Sequence, residues 1–336
     1  MGSHRRLAPS GFDRGALGVL SVATAAFGAL AAVPAPAAPL DDTRAEVDRL
    51  YQQAEKATEA FNEAAERTGT LRRQVGESQD RVARQQARVN DLRERLGAFA
   101  GAQYRSGGLD PALALLLSDD PADYLDRALA LDRITLHQAG ELKDLQGALR
   151  ELAQERAEAV RRLGELDKSR RAVAAHKQSV EQKLAKARQL LNSLPNAERA
   201  AYDRASRSGR DHLSGPGGAA ASGRAAAALA AARSALGKPY VWGANGPTGF
   251  DCSGLVQWSY AQAGLSLPRT SQAQAHAGHR VPLSQARPGD IVTYRSDASH
   301  VGMYVGGGQV IHAPYPGAPV RYDPVGMMPV SSVTRP

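Results

Sequence analysis

Cysteine is nearly missing from this chain: there is one, Cys252, in 336 residues. A single cysteine excludes an internal disulfide, so stability has to come from packed helices or an apolar core. It also excludes a site of paired thiolates. The histidines lack the spacing of a tetrahedral metal centre, so no metal or cofactor is expected. Aromatics are scarce as well, with five phenylalanines and two tryptophans, too few for base-stacking surfaces. The 42 Lys and Arg against 34 Asp and Glu, a net charge of +8, do not gather into basic clusters interleaved with aromatics. Nucleic acid is therefore excluded as a partner. The charge is unevenly spread, because residues 223–336 carry nine Lys and Arg against four Asp, a net +5. Long-range attraction needs only net charge, and this balance suits an anionic polymer.

What is present divides the chain into four parts. Residues 1–37 have the layout of an export signal. Arg5, Arg6 and Arg14 precede an uncharged run from Gly15 to Val33, and Ala35-Pro-Ala supplies a small-x-small cleavage site. The run is about as long as the ~20 residues a bilayer needs. It is rich in Ala, Gly, Ser and Thr and weak in Leu and Ile, which favours cleavage over retention as an anchor. The chain is thus expected to be secreted.

Residues 41–200 read as two long helices. From 41 to 104, apolar or small residues recur in alternating steps of three and four at 47, 50, 54, 57, 61, 64, 71, 75, 82, 89, 92, 96 and 99, interrupted at Thr68, Ser78 and Gln85. Charged and amide residues fill the positions between, and the pattern lasts about eight heptads, a coiled-coil signature. Ser106-Gly-Gly ends this helix, and Leu113 to Leu117 form an apolar tip. Asp120 caps a second helix, with Pro121 in its first turn. It runs to about Leu194 along a seam of Leu142, Leu145, Leu149, Leu152, Leu163, Leu166, Val173, Val180, Leu184 and Leu191. Two such helices joined at a tip predict an all-α antiparallel hairpin. Residues 203–222, rich in Ser and Gly and without apolar period, read as a flexible linker. An Ala-rich helix, Ala225 to Leu236, then opens a domain over 223–336.

Cys252 stands in that domain, in Gly249-Phe-Asp-Cys-Ser-Gly-Leu, after a glycine-rich loop and before a short helical pattern that stops at Gly264. A cysteine on a first helical turn lies near free N–H groups and the positive end of the helix dipole, which favours the nucleophilic thiolate. His300 begins an alternating stretch that ends in glycines, a strand and hairpin turn, and His312 lies on the returning strand. Paired strands can set the two imidazoles side by side, one as base and one to orient it. Nucleophile, base and orienting group together activate a thiol for acyl transfer. His276 and His279, in a polar stretch, read as ordinary surface histidines.

Six ordered pieces resemble the NlpC/P60 cell-wall peptidases: Lys238-Pro-Tyr-Val-Trp-Gly, Phe250-Asp-Cys-Ser-Gly-Leu-Val, Leu267-Pro-Arg-Thr-Ser, Arg287-Pro-Gly-Asp-Ile-Val, Ser299-His-Val-Gly-Met-Tyr-Val-Gly and Val310-Ile-His-Ala. The resemblance implies an α+β papain-like domain, with the Cys helix packed on an antiparallel sheet. It implies cleavage of an amide bond in peptidoglycan stem peptides, usually between D-glutamate and the diamino acid. It makes Cys252 the nucleophile, His300 the base and His312 the third polar residue. Tyr240, with the Cys252 N–H, becomes a candidate oxyanion donor. Asp251 and Ser253 become holders of the stem peptide's amino end, although Asp251 fits plain helix capping equally well. Arg269, Thr270 and Ser271 receive no catalytic role.

The resemblance also extends to the arm. Several cell-wall peptidases carry a coiled coil that docks on a transporter-like membrane complex of division or elongation and restrains the enzyme. That makes the hairpin a regulatory arm whose seat is the hairpin itself, a second copy or the catalytic groove. Its apolar tip is either the hairpin's own packing or a docking patch, with docking favoured because a hairpin end has little core to bury three consecutive leucines. Two other functions compete with the endopeptidase. One is an N-acetylmuramoyl-L-alanine amidase on the same fold, and the other is a coiled-coil scaffold that only binds the wall.

Overall fold

Residues 40–105, 121–207 and 223–336 are described by the computed structural model. The expected signal segment, the apolar tip at Leu113–Leu117 and residues 208–222 of the expected linker lie outside the described residues.

Helix α1 (Leu40–Arg105) and helix α2 (Pro121–Ser193) run antiparallel. Their heptad residues meet in three apolar patches along the length. Val47, Leu50, Tyr51 and Ala54 face Val180, Leu184 and Ala187; Leu71 and Val75 face Leu166; Val89 and Leu92 face Ala148 and Leu152. The polar interruptions of the heptad become hydrogen-bonded layers between these patches. Thr68 Oγ1 and Ser169 Oγ lie 2.8 Å apart, and the Gln85 amide donates to the Ala148 carbonyl. Buried polar atoms in such a seam need partners, and these have them.

Three details depart from the sequence expectation. Leu142, Leu149 and Leu163 are exposed, because Ala148 and Ser169 turn inward beside the expected Leu152 and Leu166. Phe61 leaves the hairpin seam and packs edge-on against Trp242 of the C-terminal domain, with ring centroids 5.1 Å apart. Residues 203–207, expected in the linker, are helical as the end of α3 (Asn196–Arg207). That helix starts after Pro195, and its Arg199 guanidinium donates to the carbonyls of Leu191, Asn192 and Leu194. A cation on the open carbonyls of a helix end satisfies them and complements the dipole.

The C-terminal domain is α+β. Helix α4 (Gly223–Ser234) buries its alanine face against α5 (Cys252–Gln262), which lies on an antiparallel sheet. The strands are β1 (His279–Val281), β2 (Ile291–Tyr294), β3 (His300–Gly306), β4 (Gln309–His312), β5 (Arg321–Pro324) and β6 (Val330–Arg335), in the spatial order β1-β6-β2-β3-β4-β5. Val301, Met303, Val305 and Ile311 face Leu255, Val256 and Tyr260 in the main core. Gly254 allows the first turn of α5 to seat against the preceding loop, since a Cβ there would lie 2.2 Å from the Ala244 carbonyl oxygen. The hairpin and the sheet belong to one compact unit, Leu40–Pro336.

Candidate active site

Asp251 precedes α5 in extended conformation and caps it, its Oδ1 accepting from the Gly254 N–H at 2.7 Å. That bond fixes Cys252 as the first helical residue. The capping role is accompanied by several others. The Arg269 guanidinium reaches both Asp251 oxygens at 2.9 and 2.6 Å and the Ser253 hydroxyl at 2.9 Å. The Gly243 N–H donates to Asp251 Oδ2 at 3.0 Å. Asp251 is fully buried, and this ring of donors is what allows a carboxylate to sit there. Arg269, assigned no role from sequence, is therefore the chief partner of Asp251.

The two histidines meet as the strand pairing predicts. Gly302 makes room, because a Cβ at that position would press the Cβ of His312 at 3.1 Å. His312 lies across β3, and His300 Nε2 and His312 Nδ1 are 2.8 Å apart. Beyond them stands Asp323 on β5, whose Oδ2 lies 2.8 Å from His312 Nε2 and 2.8 Å from Arg321 Nε. Burial lowers the pKa of His312 to about 4 despite Asp323, so the ring is neutral at pH 7. Burial works against the Asp323 carboxylate, but His312 and Arg321 outweigh it and hold its pKa below the usual range.

The site is covered. One face of α1 presents Glu55, Glu59 and Asn62, spaced i, i+4 and i+7, into it. Glu59 Oε1 accepts from the Ser253 hydroxyl at 2.8 Å and stands 3.6 Å from Cys252 Sγ, while its Oε2 accepts from the Ser271 N–H at 2.8 Å. Glu55 Oε1 lies 3.1 Å from His300 Nδ1, a charge contact rather than an aligned hydrogen bond. The second Glu55 oxygen accepts from Arg295 at 2.6 Å, and the Asn62 amide donates to Asp251 Oδ2 at 3.1 Å. Tyr51 stacks on Tyr315 with centroids 4.9 Å apart, and Lys56 pairs with Asp297 at 3.2 Å. Cys252 is left 1% exposed and His300 fully buried.

The covering carboxylates change the electrostatics of the thiol. A helix N-terminus favours a thiolate, yet here burial, followed by Glu59, Asp251 and Glu55, pushes the Cys252 pKa well up; the Val301 backbone alone opposes them. In the closed chain Cys252 is thus a protonated thiol, contrary to the expectation from its helix position. Burial and then Asp251 raise Glu59 to about 7. For Glu55, burial is outweighed by His300 and Arg295, which hold its pKa below the ordinary value. Tyr240 is buried near Cys252, and burial pushes its phenol well up, so it remains a neutral donor.

The six residues singled out in the sequence, Tyr240, Asp251, Cys252, Ser253, His300 and His312, are thus all at one place. Sequence reasoning missed Glu55, Glu59, Asn62, Arg269 and Asp323.

The sequence model of the NlpC/P60 family matches residues 237–333. The "Probable endopeptidase Rv2190c" of Mycobacterium tuberculosis is 32% identical over 361 aligned positions, covering 93% of this chain and 93% of the relative. The chain belongs to the NlpC/P60 family. The "Probable endopeptidase p60" of Listeria monocytogenes is 55% identical over 97 residues, but these are 28% of this chain and 20% of that protein. Among solved structures, the NlpC/P60 domain of the peptidoglycan hydrolase SagA is 37% identical over 33% of this chain and 98% of its own, with a TM-score of 0.32. The match to Rv2190c spans hairpin and catalytic domain alike, whereas the NlpC/P60 model covers the catalytic domain alone.

Proposed function

We infer that this chain is a secreted cysteine endopeptidase of the cell wall, cutting the D-glutamyl–diamino acid bond of peptidoglycan stem peptides, and that its hairpin holds it closed. The observation that carries this is Cys252 at a helix N-terminus in one buried cluster with the His300–His312 pair, within a family whose relatives are named endopeptidases. With the arm withdrawn, the Cys252 proton passes to His300 and the thiolate attacks the amide carbonyl. The Cys252 N–H and the Tyr240 hydroxyl hold the oxyanion. His300 returns its proton to the leaving amine, and water, activated by His300, then hydrolyses the thioester. Asp251 and Ser253 hold the amino end of the stem peptide, with Arg269 locking Asp251 in place.

The arm blocks each of these groups with an opposing side chain: Glu55 at His300, Glu59 at Cys252 and Ser253, Asn62 at Asp251. Release falls to a partner at the other end of the hairpin, in a transporter-like membrane complex of division or elongation. Exposed Phe99, Tyr104, Tyr124, Leu125, Leu129 and Leu136 support such a role, since apolar groups of this size mark contact surfaces.

Digestion of purified peptidoglycan by the full chain tests the activity, comparing wild type, Glu55→Ala/Glu59→Ala, and the same pair with Cys252→Ala. Fragments are identified by mass. Cleavage after D-glutamate, fastest in the carboxylate-free variant and absent without Cys252, is the expected result. Release of stem peptides with free L-alanine amino ends instead would make the protein an amidase. Wall binding without cleavage by any variant would leave the scaffold.

A further inference from the structure

We propose that Asp323 is a positioning residue that selects the tautomers of both histidines and so keeps Nδ1 of His300, the nitrogen turned toward the covering helix, able to accept a proton. This rests on His300 acting as the base, and it adds a fourth member to a site in which neither the sequence nor the family resemblance gave Asp323 a role.

The argument follows the hydrogen-bond chain from its charged end. Asp323 Oδ2 is 2.8 Å from His312 Nε2 and also 2.8 Å from Arg321 Nε. An ionised carboxylate only accepts, so Nε2 of His312 must carry the hydrogen. His312 is neutral, since burial lowers its pKa to about 4, and a neutral imidazole has one N–H. Its Nδ1 is consequently a bare acceptor. That atom lies 2.8 Å from His300 Nε2, so Nε2 of His300 must be the donor there. When the arm withdraws and His300 is neutral, its remaining nitrogen, Nδ1, is then the unprotonated one. Nδ1 is the nitrogen turned toward the covering helix, where Glu55 Oε1 now lies 3.1 Å away. With the arm withdrawn, that lone pair is what a thiol proton needs.

The reverse chain shows what Asp323 prevents. If His312 carried its hydrogen on Nδ1, it would donate to His300 Nε2, and neutral His300 would place its hydrogen on Nδ1. That form cannot accept from a thiol. Two coupled imidazoles have no intrinsic means of choosing between these states, because each hydrogen bond between them exists in either direction. The carboxylate breaks the symmetry. It also stabilises the chain when His300 becomes positively charged, without a proton leaving any ring: the thiol hydrogen moves to His300 Nδ1, and the Nε2 hydrogens of His300 and His312 stay where they are.

The placement on the sheet supports this. His312 pairs with Arg321 across β4 and β5, and Asp323 is two residues along the same strand, so both side chains share the face of His312. Arg321 donates to the same carboxylate oxygen, which keeps it ionised and aimed.

The test uses the full chain labelled with 15N-histidine, comparing wild type, Asp323→Asn and Asp323→Glu. An amide offers either a carbonyl or an NH2, so Asp323→Asn permits both tautomers. The imidazole nitrogen spectrum should show His312 only as the Nε2–H form in wild type and a mixture in Asp323→Asn, with Asp323→Glu returning toward wild type. In the Glu55→Ala/Glu59→Ala background, Asp323→Asn should lower kcat roughly 10- to 100-fold with KM changed less than about twofold, a relayed version of the loss seen when a triad carboxylate is neutralised. An unchanged His312 tautomer in a folded Asp323→Asn chain overturns the proposal, as does a changed tautomer with unchanged kcat. A tautomer shift in chains that never cleave peptidoglycan would instead sink the proposed function and leave the tautomer control by Asp323 standing.

Discussion

The same helix, α1, is buried in two different ways, and the contrast separates structure from control. Against α2 it buries Val47, Leu50, Leu71, Val75, Val89 and Leu92, apolar groups that gain by leaving water in any state of the protein. Against the catalytic domain it buries Glu55, Glu59 and Asn62, polar groups that pay a desolvation cost unless every partner is in place. The domain itself contains no glutamate between residues 223 and 336, so the arm supplies a residue type its target lacks. An apolar seam is built to persist. A seat of buried charges is one that a modest perturbation reverses, because removing one partner strands the others.

The largest effect that would sharpen this contrast is loss of the nucleophile. Cys252→Ala should abolish cleavage, by roughly 10^4-fold or more, in any arm background, while leaving the arm seated; peptidoglycan release measured by mass checks the first and resistance of α1 to proteolysis the second. Next is the seat. Glu55→Ala removes the partner of both Arg295 and His300, and breaking one side of a buried pair costs about 3 kcal/mol or more, on the order of a 100-fold shift toward the open arm. Cleavage by the full chain should rise accordingly. An unchanged rate would mean that the carboxylates cover the site without closing it.

A smaller effect comes from pH. Glu59 has its pKa raised to about 7 when seated, above its value of 4.5 when free. Its contribution to seating is fully present below pH 4.5 and is lost as the pH rises through 7. Glu55 has the opposite sign, and its contribution is lost only as the pH falls below its ordinary range. The seat should therefore loosen between pH 5 and 7.5, by up to about tenfold per pH unit. With a single cysteine in the chain, the alkylation rate of Cys252, corrected for thiolate formation in the Glu55→Ala/Glu59→Ala variant, reads this directly. Glu59→Gln should flatten the dependence.

The smallest effect is expected in the seam. Thr68→Val with Ser169→Ala replaces a hydrogen-bonded pair by apolar groups of similar shape, a nearly neutral change of about 1 kcal/mol or less. Thermal unfolding should barely move and the cleavage rate not at all. A large rise in cleavage from this pair would erase the distinction between seam and seat.

The candidate site was legible because the chain has a single cysteine and because two of its histidines fall on strands whose pattern predicts pairing. The fold was legible for a related reason: heptads and alternating strands announce their own partners through periodicity. The covering residues were not legible. Glu55 and Glu59 sit among the charges of a coiled coil, where acidic residues ordinarily face water, and their partners lie about 200 residues further on. Asp323, in Arg-Tyr-Asp-Pro, looks like a turn residue until β5 pairs with β4. Arg269, given no catalytic role in the sequence, holds Asp251 in place. The exposed Leu142, Leu149 and Leu163 show that the apolar pattern of a long helix is readable while its exact inward face is set by the partner helix, whose small Ala148 and Ser169 positions admit close approach.

The closed seat also bears on how the thiol ages. Oxidation of cysteine to sulfenic acid begins at an accessible thiolate. Cys252 is 1% exposed and flanked by carboxylates that keep it protonated. While it stays closed the chain thus keeps its one thiol reduced, and on the proposed function the same two glutamates that hold the arm in place also set how long the thiol lasts. On the proposed function, an opened arm makes Cys252 reactive toward peroxide as well as toward substrate, so each activation would also start a clock on inactivation.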